Sequence, residues 1–119
     1  MTPATYNINT LVSSNTFEAI NFTLTDGATP TPNPIVITGA SIKWTVKATK
    51  DSANFIIQRT TTNSGITITN GAAGQFTLNK INDFTVPEGD YIHEVEITFT
   101  NGERKTYIRG ALKVLYKLA

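Results

Sequence analysis

Apolar and polar residues alternate along much of the chain, a pattern typical of β-strands that bury one face. The clearest case is residues 40–48, where Ile42, Trp44 and Val46 share a face and the residues between them are polar. Two longer stretches near the C-terminus alternate in the same way. Their predicted buried faces carry Tyr91, His93, Val95, Ile97 and Phe99 on one stretch, and Thr106, Ile108, Gly110, Leu112 and Val114 on the other.

Gly and Pro clusters separate these stretches from shorter alternating runs, so we expect seven or eight short strands. Residues 5–12 are predicted to form an edge strand. Residues 26–34 are predicted to form a loop, because Pro30, Pro32 and Pro34 favour polyproline II and are incompatible with a helix or a central strand.

Asn101-Gly102 predicts a tight hairpin between the last two strands. Continuing the pairing away from this turn sets Val95 opposite Ile108 and Tyr91 opposite Leu112 on the apolar face. The polar face then pairs Glu94 with Arg109, Asp90 with Lys113, Glu96 with Tyr107 and Thr98 with Lys105. Residues 81–100 are acidic and residues 103–119 are mostly basic, and a cross-strand ladder accounts for both blocks.

These strands predict an all-β fold, and no segment shows helical periodicity over three turns. The whole chain, residues 1–119, is expected to be a single domain. A tryptophan on an early strand and a tyrosine opening a late one are typical of an immunoglobulin-like β-sandwich of seven to eight antiparallel strands. In that arrangement Trp44 packs in the core and Tyr91 anchors a corner.

Composition excludes several classes of function. The chain has 119 residues, no cysteine, one histidine and a net charge of +1. A thiolate or multi-histidine metal site is therefore excluded, and neither nucleic acid nor a membrane is an expected partner. The N-terminus lacks the features of a signal peptide, and no apolar run approaches membrane-spanning length, so we expect synthesis and folding in the cytoplasm.

The stretch EGDYIHEVEIT, residues 88–98, holds the single histidine among four carboxylates. In a strand, alternation turns His93 away from Glu94 and Glu96, so these residues do not form a zinc-protease motif, which needs a helix and a second histidine. A weak calcium site at the two carboxylates is the alternative to charge pairing. We expect a core histidine with a satisfied hydrogen bond, no cofactor and no enzymatic activity.

Several segments, in order, resemble a known family. They are Gly39-Ala40-Ser41-Ile42, a Gly65–Leu78 hairpin, a Pro87–Glu94 stretch of the form P-x-G-x-Y-x-x-E, and a final Gly110–Val114 strand. This order is similar to the immunoglobulin-like N-terminal domain of phage baseplate upper proteins and related short phage and prophage structural proteins. The resemblance covers roughly residues 37–118 and implies a role in structure and assembly, with no catalytic residues.

From this resemblance we expect a virion structural protein of the tail, baseplate, neck or capsid. It would be made in the bacterial host cytoplasm and dock on other phage structural proteins, as a homo-oligomer within a symmetric assembly. A carbohydrate- or receptor-binding module is the alternative. The candidate interface residues are Pro30, Pro32, Pro34, Tyr107 and Arg109, with the N-terminal segment and an unpaired edge strand as further candidates.

Overall fold

The computed structural model describes residues 3–27 and 30–118, which are all-β and form two sheets. These residues contain nine strands: β1 Ala4–Thr5, β2 Ile8–Val12, β3 Ile20–Thr23, β4 Ser41–Lys47, β5 Ile57–Thr60, β6 Ile66–Asn70, β7 Gln75–Leu78, β8 Gly89–Thr98 and β9 Arg104–Leu115. One short 3₁₀ helix, Gly71–Ala73, joins β6 to β7. The expected all-β class is confirmed. The strand count exceeds the prediction by one because the N-terminal edge strand is split into β1 and β2.

The large sheet has the order β1-β9-β8-β4-β5, and β2 also pairs with β9. The small sheet has the order β3-β7-β6. Most pairs are antiparallel, as predicted, but β1 and β2 both run parallel to β9. The expectation of a wholly antiparallel sandwich is therefore wrong at this edge, because the N-terminal segment lies beside the last strand and runs in its direction.

The core between the sheets is built from the inward positions of the alternating strands. Trp44 is 1% exposed, and its neighbours on the same face of β4, Ile42 and Val46, are equally buried. Phe17 packs against Trp44 and Phe84 with ring centroids 5.5 Å and 5.4 Å apart. The predicted inward face of β4 is thus confirmed, and the aromatic side chains supply much of the buried apolar area.

The β8–β9 hairpin follows the predicted register over most of its length. Val95 lies opposite Ile108, Glu94 opposite Arg109, and Asp90 opposite Lys113. Between Val95 and Glu96 the register shifts, so that Glu96 lies opposite Thr106 and Thr98 opposite Arg104. The predicted Glu96–Tyr107 and Thr98–Lys105 pairs are therefore wrong.

The cause of this shift is an extra residue in β9 close to the turn. Phe99 N–H donates to the carbonyl of Glu103 at 2.8 Å, and the side chain of Asn101 accepts from Glu103 N–H at 3.0 Å, so the loop spans residues 99–103. The additional residue is accommodated as a β-bulge at Tyr107. A bulge turns two consecutive side chains to one face, and both Tyr107 and Ile108 are buried.

Tyr91 fixes the entry into β8. Its hydroxyl donates a hydrogen bond of 2.8 Å to the backbone carbonyl of Pro87, four residues upstream. This is the anchoring bond that the sequence predicted for a tyrosine at the start of a late strand. It ties the long connection before β8 to the body of the sandwich.

Candidate functional site

His93 lies on the inward face of β8 and is 2% exposed. Trp44 Nε1–H on β4 donates to His93 Nδ1 at 3.0 Å. His93 Nε2 lies 2.6 Å from the backbone carbonyl oxygen of Tyr6. Since Nδ1 accepts from the indole, the proton of the neutral ring is on Nε2, which donates to that carbonyl. The prediction of a core histidine with a satisfied hydrogen bond is confirmed.

Burial lowers the pKa of His93 below its ordinary value of 6.5, because the apolar surroundings disfavour the charged ring. The hydrogen bond to the Tyr6 carbonyl acts in the opposite direction and is the smaller effect. A protonated ring would also present an N–H at Nδ1 to the indole N–H. The neutral ring is therefore the form that fits this site.

The N-terminal segment is held against β9 by contacts that the sequence did not predict. Tyr6 N–H donates to the carbonyl of Arg109 at 3.0 Å, and Ala111 N–H donates to the side chain of Asn7 at 3.0 Å. At Gly110 a Cβ would overlap the Tyr6 carbonyl group, so only glycine permits this approach. A glycine inside an otherwise regular strand was the available signal.

Glu94 and Glu96 of β8 face the outer surface of the large sheet and pair with cations. Arg109 Nη2 lies 3.2 Å from Glu94 Oε2, which confirms the predicted pair. Lys43 Nζ lies 3.6 Å from Glu96 Oε1, a partner that the sequence analysis did not identify. In the parts of the chain that the structure describes, no group of three or more His, Asp or Glu residues is placed to hold a metal ion.

A shallow depression of about 540 Å³ lies on this outer face. Lys47, Lys50 and Arg109 line it together with Ile92 and Glu94. Three cations around one apolar side chain suit a carboxylate-bearing partner surface, with Glu94 offsetting part of the charge. Arg109 is the predicted interface residue that this depression includes.

The predicted interface residues do not gather at one place. Pro30, Pro32 and Pro34 are exposed, and Pro34 pairs with Thr25, just beyond β3 of the small sheet. Arg109 is on the outer face of the large sheet. Ala28 and Thr29, at the start of the predicted proline loop, lie outside the described residues, as do Met1 and Thr2 of the N-terminal segment.

Tyr107 is not the exposed aromatic that the sequence predicted. It is 9% exposed, and its ring meets Phe99 edge-on with centroids 6.2 Å apart. The bulge in β9 turned it inward, and simple alternation does not reveal a bulge. Lys105 Nζ lies over the Phe99 ring, 5.9 Å from its centroid.

The edge of β5 is covered by the turn that follows it. The side-chain carbonyl of Asn63 accepts from Thr60 N–H at 2.9 Å, and Gly65 N–H donates to the Thr60 carbonyl at 3.0 Å. Asn63 Nδ2 also reaches the carbonyl of Gln58 at 3.5 Å. These bonds occupy backbone groups that an added strand would need, so β5 is a poor docking edge.

The edge of β3 has a different environment. β3 pairs only with β7, because the N-terminal strands lie in the other sheet. A second depression, of about 330 Å³, lies between this edge and the N-terminal strands. Its lining includes Tyr6 and Ile8 on one side and Phe17, Glu18 and Ile20 on the other. The two sheet edges on this side of the sandwich therefore frame a groove.

Comparison with known proteins identifies no family for this chain. No protein-family model and no curated protein matches it. The solved structure of murine CRIg aligns with 98% of this chain and 92% of its own, at 14% identity and a TM-score of 0.35. Within the described residues, no helix is long and apolar enough to cross a membrane.

Proposed function

We propose that this chain is an immunoglobulin-like structural or assembly protein of a phage virion, acting in the tail, baseplate, neck or capsid. Its mechanism is rigid docking on other phage structural proteins, in a symmetric assembly that repeats the subunit. It is made in the bacterial host cytoplasm and works in the particle. The proposal combines the family resemblance in the sequence with the surfaces that the fold leaves uncovered.

The immunoglobulin-like assignment is supported by two side chains and by the strand order. Trp44 fills the core on the strand next to β8, and the hydroxyl of Tyr91 closes the corner at Pro87. The buried ring of His93, two residues after Tyr91, bonds to the indole of Trp44. In antibody domains a disulfide cysteine follows the corner tyrosine by two residues, so here a hydrogen-bonded histidine occupies that position.

The residues that carry the family resemblance have structural roles. Gly39 has φ +75°, Gly110 allows the N-terminal segment to approach, and Pro87 accepts the Tyr91 bond. These are requirements of turns and strand packing and involve no reacting group. The resemblance therefore concerns fold and assembly, which is what we expect of a protein that acts through its surface.

The observation that carries the docking function is the placement of exposed apolar side chains. The large exposed ones are Tyr6, Val36, Phe55, Ile56, Ile92, Leu115, Tyr116 and Leu118. Tyr6 lies between the edge strands β1 and β2, and Leu115, Tyr116 and Leu118 lie at and beyond the end of β9. The only histidine is buried in the core, with both ring nitrogens hydrogen-bonded. Exposed apolar groups next to unpaired edges are suited to protein–protein contact.

The carbohydrate- or receptor-binding alternative relied on Tyr107 as an exposed aromatic residue, and this residue is buried. A sugar platform would use exposed aromatic faces, and Tyr107 is buried against Phe99. The exposed aromatics that remain, Tyr6, Phe55 and Tyr116, belong to three separate segments of the chain. Glycan binding of the purified protein would revive this alternative.

Mass spectrometry of purified virions tests the proposed function. Particles induced from a host that carries the gene should contain the chain at a copy number that matches a ring or shell symmetry. Gradient fractions without particles, from the same lysate, serve as the control. Absence from particles, or a level equal to that of soluble host proteins, would refute the virion role.

A further inference from the structure

We propose that the segment Tyr116–Leu118 of one copy adds as an extended strand to the β3 edge of a second copy. This names one partner for the docking role proposed above and rests on that role only in part, because self-association can be measured on the pure protein. The inference comes from two uncovered features of the same chain that match each other in polarity and charge.

The first feature is the free edge of β3. Leu24 N–H, just after β3, donates to the Gly74 carbonyl at 2.9 Å. The backbone N–H and C=O groups of the even-numbered residues of β3 therefore face β7. Alternation then turns the N–H and C=O groups of Asn21 and Thr23 away from the sheet. The sequence Ile20–Thr23 contains no charge and no proline, which are the usual devices that block strand addition.

Two other described edges, those of β5 and β6, are less suitable. The turn at Asn63 occupies the edge of β5, and the register of β6 against β7 is broken by an irregularity between Ile68 and Asn70. A bulge twists an edge away from a partner strand. The β3 edge has a regular register along its whole length.

The groove beside β3 defines what the added strand should carry. Its apolar lining residues include Ile8, Leu11, Phe17 and Ile20, and Glu18 is its only charged residue among those described. Phe17 is buried, and Glu18, the next residue, is exposed at the rim. An added segment therefore needs apolar side chains toward the groove and a basic residue toward the rim.

The second feature is the chain at the end of the last strand, which carries exposed apolar side chains and one basic residue. Leu115 is 42%, Tyr116 62% and Leu118 91% exposed. In an extended conformation Tyr116 and Leu118 project to one side and Lys117 to the other. Tyr116 and Leu118 can then enter the apolar groove while Lys117 approaches Glu18. Reciprocal exchange between two copies gives a closed dimer with two equivalent contacts.

Cysteine cross-linking tests the pairing directly, because the chain has no cysteine of its own. Ile20 lines the groove that Leu118 is proposed to enter, so Ile20→Cys and Leu118→Cys are made as separate variants, mixed and oxidised, and the mixed disulfide is followed on non-reducing gels. The control mixes Leu118→Cys with Thr69→Cys, an exposed position on β6 at the opposite edge of the same sheet. The first pair should cross-link faster; equal rates would overturn the proposal.

A double variant with both Ile20→Cys and Leu118→Cys tells whether the segment pairs with the β3 edge of its own chain. Covalent dimers and higher species are expected at concentrations where the protein self-associates. A disulfide within one chain, with the protein remaining monomeric, would overturn pairing with a second copy.

Sedimentation equilibrium measures the association without a cross-link. The native protein should show a concentration-dependent dimer, and Glu18→Lys should weaken it by a factor of roughly 2 to 5, as for an exposed ion pair. Adding Lys117→Glu should restore the affinity. Leu118→Asp should abolish the dimer and Val36→Asp, at another exposed apolar site, should not.

A monomer at every concentration would overturn the proposal. So would a dimer that Leu118→Asp leaves unchanged. Either result, with the chain still present in purified virions, would leave the structural function standing and remove only this partner.

Discussion

His93 on β8 links β4 to the N-terminal segment through its two hydrogen bonds, to Trp44 and to the Tyr6 carbonyl, which we call the His93 brace. Replacement of His93 by phenylalanine tests this brace. Phenylalanine keeps a planar ring at the position but can neither accept the Trp44 N–H nor donate to the Tyr6 carbonyl. An unsatisfied buried polar group costs about 1–3 kcal/mol. The bond to Tyr6 is only partly buried, so we expect His93→Phe to lower the free energy of unfolding by about 2–4 kcal/mol.

Guanidinium unfolding followed by far-ultraviolet circular dichroism gives this quantity, at a pH where the imidazole is neutral. His93→Gln is the matched control, since an amide can accept from the indole and donate to the carbonyl. It should lose less than the phenylalanine variant. In a Trp44→Phe background, which has no indole N–H, the cost of His93→Phe should also shrink, and the difference is the coupling between the two side chains.

Two results would refute this reasoning. One is a His93→Phe variant whose stability lies within about 0.5 kcal/mol of the native protein, the range expected of an ordinary surface substitution. The other is a glutamine variant as unstable as the phenylalanine variant, because shape and not hydrogen bonding would then explain the loss.

The remaining predictions concern acid, the core, the N-terminal contact and one strained turn. Burial lowers the pKa of His93, so the native stability should be full above pH 6.5 and fall as the pH drops from there through the lowered pKa; His93→Phe should flatten this part of the pH–stability curve measured by denaturant titration. Trp44→Ala should cost about 3–5 kcal/mol in the same unfolding assay, and a loss below about 1 kcal/mol would place the side chain at the surface. Gly110→Ala should cost about 1–3 kcal/mol and raise amide exchange at Tyr6, whereas unchanged exchange would contradict the close approach. Ser64 has φ +65°, so Ser64→Gly should raise the free energy of unfolding by about 1 kcal/mol and Ser64→Ala should leave it unchanged.

The register of the β8–β9 hairpin could be predicted up to the bulge. Alternation and opposite charges placed Glu94 against Arg109, and an ion pair of 3.2 Å is found there. Beyond Val95 the prediction is wrong, because the bulge at Tyr107 depends on loop length and on how Phe99 and Tyr107 pack together. A hairpin dipeptide indicates where a turn lies but leaves the number of loop residues open.

The brace at His93 was only half predictable. The alternating pattern placed the ring inside the sandwich, but the pattern carries no information about its partners, Trp44 and the Tyr6 carbonyl, which are distant along the chain. The parallel course of β1 and β2 was missed for the same reason. Strand direction at an edge depends on long-range packing. Here the N-terminal segment can approach β9 only because Gly110 has no side chain.

The sequence by itself determined the all-β class, the inward faces of the long strands up to the bulge in β9, the buried tryptophan and the corner bond of Tyr91. These follow from period-two alternation and from turn chemistry, which act between residues close in the chain. Only the tertiary structure decided which edges are free, that Tyr107 is buried, and that the single histidine is a brace. Those outcomes depend on which segments meet across the sandwich, because burial and hydrogen-bond partners are properties of the packed sheets.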